Sequence, residues 1–192
     1  MVVNLPRTEY QQALSMSEKA GNQIGIAISL NNIGSLYNGQ RDHQQALDYH
    51  KRALTIWKEA GDQAGLAITF SNMGSAYHDM GNHQQALDYY KRALTIQKKI
   101  GRRYGESTTR NNMAMLFRDE GLLDKAVEQM RLVVQFEREV DHPDLKRDQA
   151  KLARFEAALK ARQTSNTLSK KYPTKSLKHQ IVHQIKRYLT RK

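Results

Sequence analysis

The sequence predicts an all-α fold, a solenoid in which antiparallel helix pairs stack one on the next. The first observation is a repeat: residues 43–56, HQQALDYHKRALTI, return at residues 83–96 as HQQALDYYKRALTI. The second is that apolar residues recur at helical spacing. The third is that Gly21, Gly61 and Gly101 follow one another at intervals of forty residues. A unit copied at a fixed period buries its apolar face against its neighbours, as stacked-repeat proteins do.

Composition limits the class of protein. Hydrophobic residues make up 39% of the 192 and charged residues 26%, which suits a soluble helical protein and excludes a membrane-spanning one. The chain contains no cysteine, which excludes disulfides, zinc ribbons and thiol nucleophiles. The start, MVVNLPRTEY, lacks the basic and apolar regions of a secretory signal, so we expect a cytoplasmic protein.

The net charge of +12 is concentrated at the C-terminus. Residues 163–192 contain eight basic residues and no acidic one, a charge of +8, whereas residues 1–162 contain 23 basic and 19 acidic residues, a charge of +4. The basic residues of this segment are Lys170, Lys171, Lys175, Lys178, Lys186, Arg187, Arg191 and Lys192. The basicity therefore belongs mostly to a tail.

The period divides the chain into a half unit, three full units and a C-terminal region. Residues 1–21 align with the second half of the later units, so they form a helix whose apolar stripe, with Tyr10 and Leu14, lacks a first helix beside it. Either this half unit is a clipped piece of a longer array, or its face docks on another molecule, including a second copy. The full units are residues 22–61, 62–101 and 102–141. A capping helix is expected in 142–162, a linker in 163–174 and a basic amphipathic helix in 175–192.

Each full unit is predicted to hold two helices. In the first unit, apolar residues favour a first helix over 23–38, the turn 39–41 ends it, and a second helix covers 43–59. Asp42 with Gln45, and then Asn82 with Gln85, are typical of a capping box at the start of the second helix. Gly61 is expected to close the unit in a left-handed conformation.

The third unit and the segment after it depart from the pattern. Leu122 replaces the N-cap, and Ala114 replaces the glycine found at Gly34 and Gly74. After Pro143, residues 144–162 form an amphipathic helix that closes the array. In the tail helix the apolar positions are Leu177, Ile181, Val182, Ile185, Tyr188 and Leu189.

Small and aromatic residues recur at fixed places in the units. They are Gly34, Tyr37, Ala46 and Ala53 in the first, Gly74, Tyr77, Gly81, Ala86, Tyr90 and Ala93 in the second, and Phe117, Gly121 and Ala126 in the third. This pattern resembles the tetratricopeptide repeat, in the 40-residue variety of spindle-orientation adaptors and many bacterial multirepeat proteins, and is near the units of kinesin light chain. The resemblance implies a right-handed superhelix whose first helices line a concave groove. Such grooves bind peptides or partner proteins, without catalysis.

An asparagine stands at the same place in each first helix, at Asn32, Asn72 and Asn112. In related repeats this position faces the groove, and its amide pairs with the backbone of a bound peptide. Asparagine has no propensity reason to lie within a helix, and a ladder of amides would hold an extended chain whatever its side chains. The alternative is that duplication copied a residue which only hydrogen-bonds the neighbouring helix or water.

Three further rows are expected on the same side of the first helices. They are Asn31, Ser71 and Asn111; then Ser35, Ser75 and Met115; then Asn38, His78 and Arg118. This surface is polar and nearly uncharged, and becomes more basic in the third unit through Arg110 and Arg118. Four residues before the ladder, where spindle adaptors often have arginine, this chain has Ile28, Ile68 and Thr108. That departure indicates an apolar contact.

No arrangement of residues supports catalysis, so we predict a protein that is not an enzyme and has no cofactor or metal. The glycines recur with the repeat, which is a packing pattern, and His43 and His83 are copies of one helix start. His179 and His183 lie one helical turn apart, but no third ligand accompanies them.

The basic tail leaves several interpretations open. Its amphipathic helix could bind nucleic acid phosphates, an anionic membrane surface or an acidic partner. Alternatively, its apolar stripe folds back to cover the end of the array and leaves the lysines in water.

Overall fold

The structure is a computed structural model, which describes residues 5–171 and shows eight α-helices in that range. They are α1 (Leu5–Lys19), α2 (Gln23–Gly39), α3 (His43–Ala60), α4 (Gln63–Asp79), α5 (His83–Lys99), α6 (Arg103–Asp119), α7 (Leu123–Glu139) and α8 (Leu145–Lys171). The helix predicted over 175–192 lies outside the described residues.

The helices form a solenoid, as predicted. Each helix packs against the next along the chain, and the contacts are most extensive within the pairs α2/α3, α4/α5 and α6/α7. The first helices also contact one another directly, α2 with α4 and α4 with α6. They therefore share one inner surface, on which the predicted groove residues can be located.

Glycines of the first helices allow this close packing. A Cβ atom on Gly34 would lie 2.7 Å from the His50 ring, and one on Gly74 would lie 2.6 Å from the Tyr90 ring. In the third unit Ala114 stands at the place of the glycine and Met130 at the place of the ring. Both belong to one core cluster, in which the flexible Met130 side chain leaves room for the alanine methyl group. The small residue and the ring opposite it are therefore a packing pair.

The predicted helix caps are partly present. Asp42 accepts a hydrogen bond from the Gln45 backbone N–H at 3.2 Å, but Asn82 makes no side-chain cap bond, so the second capping box is wrong. Two caps that were not predicted begin the first helices, where Asn22 and Asp62 accept from backbone N–H groups three residues later at 3.0 and 2.8 Å.

Helix α1 packs on α2, so its apolar stripe has a partner within the chain. Leu14 contacts the core cluster of Ala27, Leu30 and Trp57, whereas Met16 is 70% exposed. The predicted docking of this face on another molecule is therefore not required to cover Leu14.

Helix α8 corrects the predicted linker. It continues to Lys171, so residues 163–171, assigned to a linker because of their Ser and Thr content, are helical. The hydroxyls of Thr164 and Thr167 donate to the carbonyls of Lys160 and Gln163 one turn earlier, at 3.0 and 2.8 Å. Because these hydroxyls form hydrogen bonds within the helix, a segment rich in Ser and Thr can continue α8 instead of ending it.

No helix among residues 5–171 combines the length and the hydropathy that crossing a membrane requires.

Candidate functional site

The asparagine ladder links successive units on the inner surface. The Asn72 amide donates to the Ser35 hydroxyl at 3.3 Å, and the Asn112 amide donates to Ser75 at 3.4 Å. Asn32, in the first unit, is exposed. Each of these bonds uses one amide N–H group. Among the described residues, the carbonyl oxygen and the second N–H of Asn72 and Asn112 have no partner.

The row of Asn31, Ser71 and Asn111 does not lie on the open groove, contrary to expectation. Asn31 and Ser71 are buried, and all three make hydrogen bonds to the next first helix. The pairs are Asn31–Thr69 at 2.7 Å, Ser71–Thr109 at 3.3 Å and Asn111–Asp148 at 3.4 Å. Adjacent positions on a helix point about 100° apart, so this row faces the neighbouring unit while the ladder points in a different direction.

A chain of hydrogen bonds fixes the first of these joints. The Nδ1 atom of His50 lies 3.0 Å from the Asn31 carbonyl oxygen, so this nitrogen carries the proton and donates it. The Asn31 amide donates to Thr69, whose hydroxyl donates to the Gly65 carbonyl at 2.8 Å. Burial lowers the pKa of His50 to about 4, so the imidazole is neutral at physiological pH.

Tyr90 takes the place of His50 in the second unit. Its hydroxyl donates to Ser75 at 3.2 Å, and burial raises its pKa to about 12. Ser75 therefore contacts both the ladder residue Asn112 and the ring beneath the groove. Ser35 is exposed, Ser75 is half-buried, and Met115 packs against the core.

The last predicted row forms a second line of contacts between units. The Asn38 amide donates to Asp79 at 2.8 Å, and His78 Nε2 lies 3.0 Å from Asp119, which also pairs with Arg118. Burial raises the pKa of Asp119, but hydrogen bonds from Arg118 and His78 outweigh it, so the pKa is below its ordinary value. The charge of Arg118 is therefore largely balanced within the protein.

Arg110 does not make the groove basic, which corrects another expectation. Its guanidinium donates to Glu106 at 2.7 Å and to Gln129 of α7 at 2.7 Å, and it is half-buried. Arg110 therefore faces the second helix of its own unit, where its charge is paired.

An exposed apolar strip runs beside the ladder on the first turns of the first helices. Ile28 is 49% exposed and Ile68 is 43% exposed, in agreement with the expected apolar surface at these places. Ile24 and Tyr104, which also belong to this strip, were not predicted. They lie one turn before Ile28 and Thr108, so the helical spacing could have found them.

Helix α8 continues the rows of the inner surface with basic residues, which the sequence analysis missed. The hydrogen bonds between successive first helices join residues 38 positions apart at the first two junctions and 37 positions apart at the third. The repeat is therefore one residue shorter at α8. With that shift, Arg147, Lys151 and Arg154 take the places of Thr108, Asn112 and Met115. Only the joint to Asp148 reveals this, because Pro143 interrupts the sequence pattern.

A buried carboxyl pair anchors α8 on α7. Asp148 is fully buried and accepts from Arg147 at 3.0 Å and Lys151 at 2.8 Å. Burial raises the pKa of Asp148, but these bonds outweigh it and hold the pKa below its ordinary value. Burial and the nearby Asp148 raise the pKa of Glu137, which is 5% exposed. The pKa values of the two carboxyls are therefore shifted in opposite directions, so Glu137 binds a proton more readily than Asp148 does.

The described residues offer no site for a metal. Among residues 5–171, no group of three or more His, Asp or Glu side chains could hold an ion. His179 and His183 lie outside that range.

A comparison with family models identifies the architecture. The model described as tetratricopeptide repeat matches residues 7–59 and 65–139. The chain belongs to the tetratricopeptide repeat family. In this family the repeats mediate contacts between proteins, which agrees with the inner surface of stacked first helices. No curated protein sequence gave a significant match.

Solved structures with the same fold are tetratricopeptide-like repeat proteins. A kinesin light chain of Podospora anserina with nearly identical repeats shares 19% identity, with 84% of this chain and 81% of that one covered and a TM-score of 0.60. BtubC of P. vanneervenii shares 14% identity, with 80% and 73% covered and a TM-score of 0.57. The apo form of RapI shares 17% identity, with 85% and 60% covered and a TM-score of 0.69. At these identities the likeness shows the fold alone.

Proposed function

We propose that this tetratricopeptide repeat protein is a noncatalytic scaffold that holds an extended segment of a partner protein along its inner surface. The observation that carries the proposal is the ladder of Asn32, Asn72 and Asn112, whose amides retain hydrogen-bonding groups on the surface that all first helices share. A peptide backbone offers the complementary donors and acceptors at every residue.

The surroundings of the ladder support an extended ligand with a defined direction. On one side lies the apolar strip of Ile24, Ile28, Ile68 and Tyr104, which would contact apolar side chains of the ligand. At the α8 end, Arg154 is exposed and has no ion-pair partner among the described residues. A carboxylate of the partner placed there would be favoured, which orients the segment.

The first prediction concerns the ladder. A peptide selected from a random dodecapeptide phage library on the purified chain is expected to bind with about micromolar affinity, near 8 kcal/mol. Because Asn72 pairs with backbone in the bound state, Asn72→Ala should weaken binding by about 1–3 kcal/mol in isothermal titration calorimetry.

The matched control replaces polar residues of the same period on the second helices, Thr55, Thr95 and Gln135, by alanine. These side chains are exposed and belong to the second helices α3, α5 and α7. The proposal requires the control to bind as the unaltered chain does. Full affinity in a folded triple variant of Asn32, Asn72 and Asn112 to alanine would exclude the ladder as the binding element.

A second candidate function is supported by the charge of the tail. Residues 163–192 carry +8, which would attract nucleic acid or an anionic surface with a strong dependence on salt. Deleting residues 163–192 should abolish binding to a fluorescent 20-mer of single-stranded DNA or to phosphatidylserine vesicles in a cosedimentation assay. Retention of that binding by the truncated chain would exclude the tail as the binding element.

A further inference from the structure

An open cleft with apolar walls lies beside α8 at the C-terminal end of the array. It has a volume of about 410 Å³ and is lined by Asp124, Val127, Glu128, Arg131, Leu132 and Leu159. Leu132 is 38% exposed, and neither Asp124 nor Glu128 has an ion-pair partner among the described residues. The cleft thus combines apolar walls with two unpaired carboxylates.

The corresponding surface elsewhere in the array is covered by a second helix. On α3, Leu47 packs in one cluster with Tyr89 of α5. Burial is the main cause that raises the pKa of Tyr89, and the charge of Lys51 lies close enough to lower it. Val127 and Arg131 occupy the same places on α7, eighty positions later, and both line the cleft. Among the described residues no helix follows α8 to cover them.

The remaining chain can reach this cleft. Arg162 of α8 donates to the Gly121 carbonyl at 2.6 Å, and nine more residues continue the helix to Lys171. These nine residues extend about 14 Å, whereas a helix over residues 175–191 would measure about 25 Å. A segment that turns at Pro173 and runs antiparallel to α8 would therefore be long enough to pass both Leu168, which is 52% exposed, and Leu159.

The chemistry of the segment complements that of the cleft. Its C-terminal half carries Ile185, Tyr188 and Leu189 on one stripe, and Lys186 and Arg187 beside them. The apolar residues match Val127, Leu132 and Leu159, and the cations match the unpaired Asp124 and Glu128. We propose that residues 175–191 dock in the cleft between α7 and α8 and supply the second helix of a fourth helix pair, with α8 as the first.

Cysteine cross-linking tests this docking, because the chain has no cysteine of its own. The full chain carrying Glu128→Cys and Lys186→Cys should form an intramolecular disulfide under mild oxidation, at least tenfold faster than a control with Asp88→Cys and Lys186→Cys. Asp88 is exposed and lies at the place on α5 that Glu128 has on α7. The rate is read from the shift of the monomer band on a nonreducing gel.

Two further substitutions, made together, provide a second test of the docking. Adding Ile185→Asp and Leu189→Asp should reduce the cross-linking rate at least tenfold without changing the helical circular dichroism of the array. Equal rates for the test and control pairs would overturn the proposal. Disulfides that form only between molecules and rise with protein concentration would overturn it too, since they would place the tail of a second copy in the cleft.

Discussion

We expect one residue at the joint between the first two units, His50, to make the array sensitive to acid. His50 is buried, neutral and bonded to Asn31, with a pKa of about 4 against an ordinary value of 6.5. Because the unfolded chain binds the proton more readily, this contribution to stability is fully present above pH 6.5. It is lost as the pH falls towards 4, by about 3 kcal/mol in total.

The second unit shows how this acid sensitivity could be removed. Tyr90 stands at the place of His50, where it packs against Gly74 and bonds Ser75. The first unit has the equivalent residues, Gly34 and Ser35, beside His50. We expect His50→Tyr to reduce the loss of urea stability between pH 7 and pH 4. His43→Gln, at a partly exposed position, should keep the loss of the unaltered chain. An equal loss in both variants would mean that His50 is not the group responsible.

At the scale of the element, the turn between the two helices of a unit is built differently in the first unit. Arg41 has a φ of +65°, whereas the second and third units have Gly81 and Gly121 there, with φ of +75° and +72°. Left-handed backbone disfavours a residue with a Cβ atom, and no neighbouring atom lies within 4 Å of the Cβ position at Gly81. The turns therefore share one backbone conformation and differ in the residue that adopts it, which has a Cβ atom only in the first unit.

This difference predicts opposite effects for two substitutions. Arg41→Gly should raise the free energy of unfolding by about 1 kcal/mol, and Gly81→Arg should lower it by about the same amount. Urea denaturation followed by circular dichroism measures both. A loss of stability in the Arg41→Gly variant would show that the arginine side chain stabilises the turn more than its conformation destabilises it.

Elements could be predicted from the sequence where one unit copies another. The helix pairs, and the small residues Gly34 and Gly74 at the same place in two first helices, follow from apolar spacing and repetition. The end of α8 could not be predicted, because its Ser and Thr hydroxyls bond within the helix instead of ending it. The cap predicted at Asn82 is absent, although its side chain is of a suitable type and stands at the right place, because it makes no cap hydrogen bond.

At the scale of the whole molecule, the inner surface was predicted in outline and corrected in detail. Spacing placed Asn31 and Asn32 together, but helix geometry turns Asn31 towards the next unit and leaves Asn32 exposed. The basic residues of α8 could not be assigned to the surface, because a shift of one residue is invisible where the repeat has already decayed. The structure detects it through one hydrogen bond, from Asn111 to Asp148.

The three joints between first helices also bear on how such an array could lengthen. The middle joint pairs Ser71 with Thr109, and Thr69 stands at the place of Thr109 one unit earlier. If the second unit were duplicated, Ser71 of one copy would therefore meet Thr69 of the next, again a pair of hydroxyls. The last joint ends on Asp148, a carboxylate that depends on Arg147 and Lys151 beside it. Growth by internal duplication is therefore compatible with the middle of the array, whereas a copy of the last joint would need Arg147 and Lys151 beside its carboxylate.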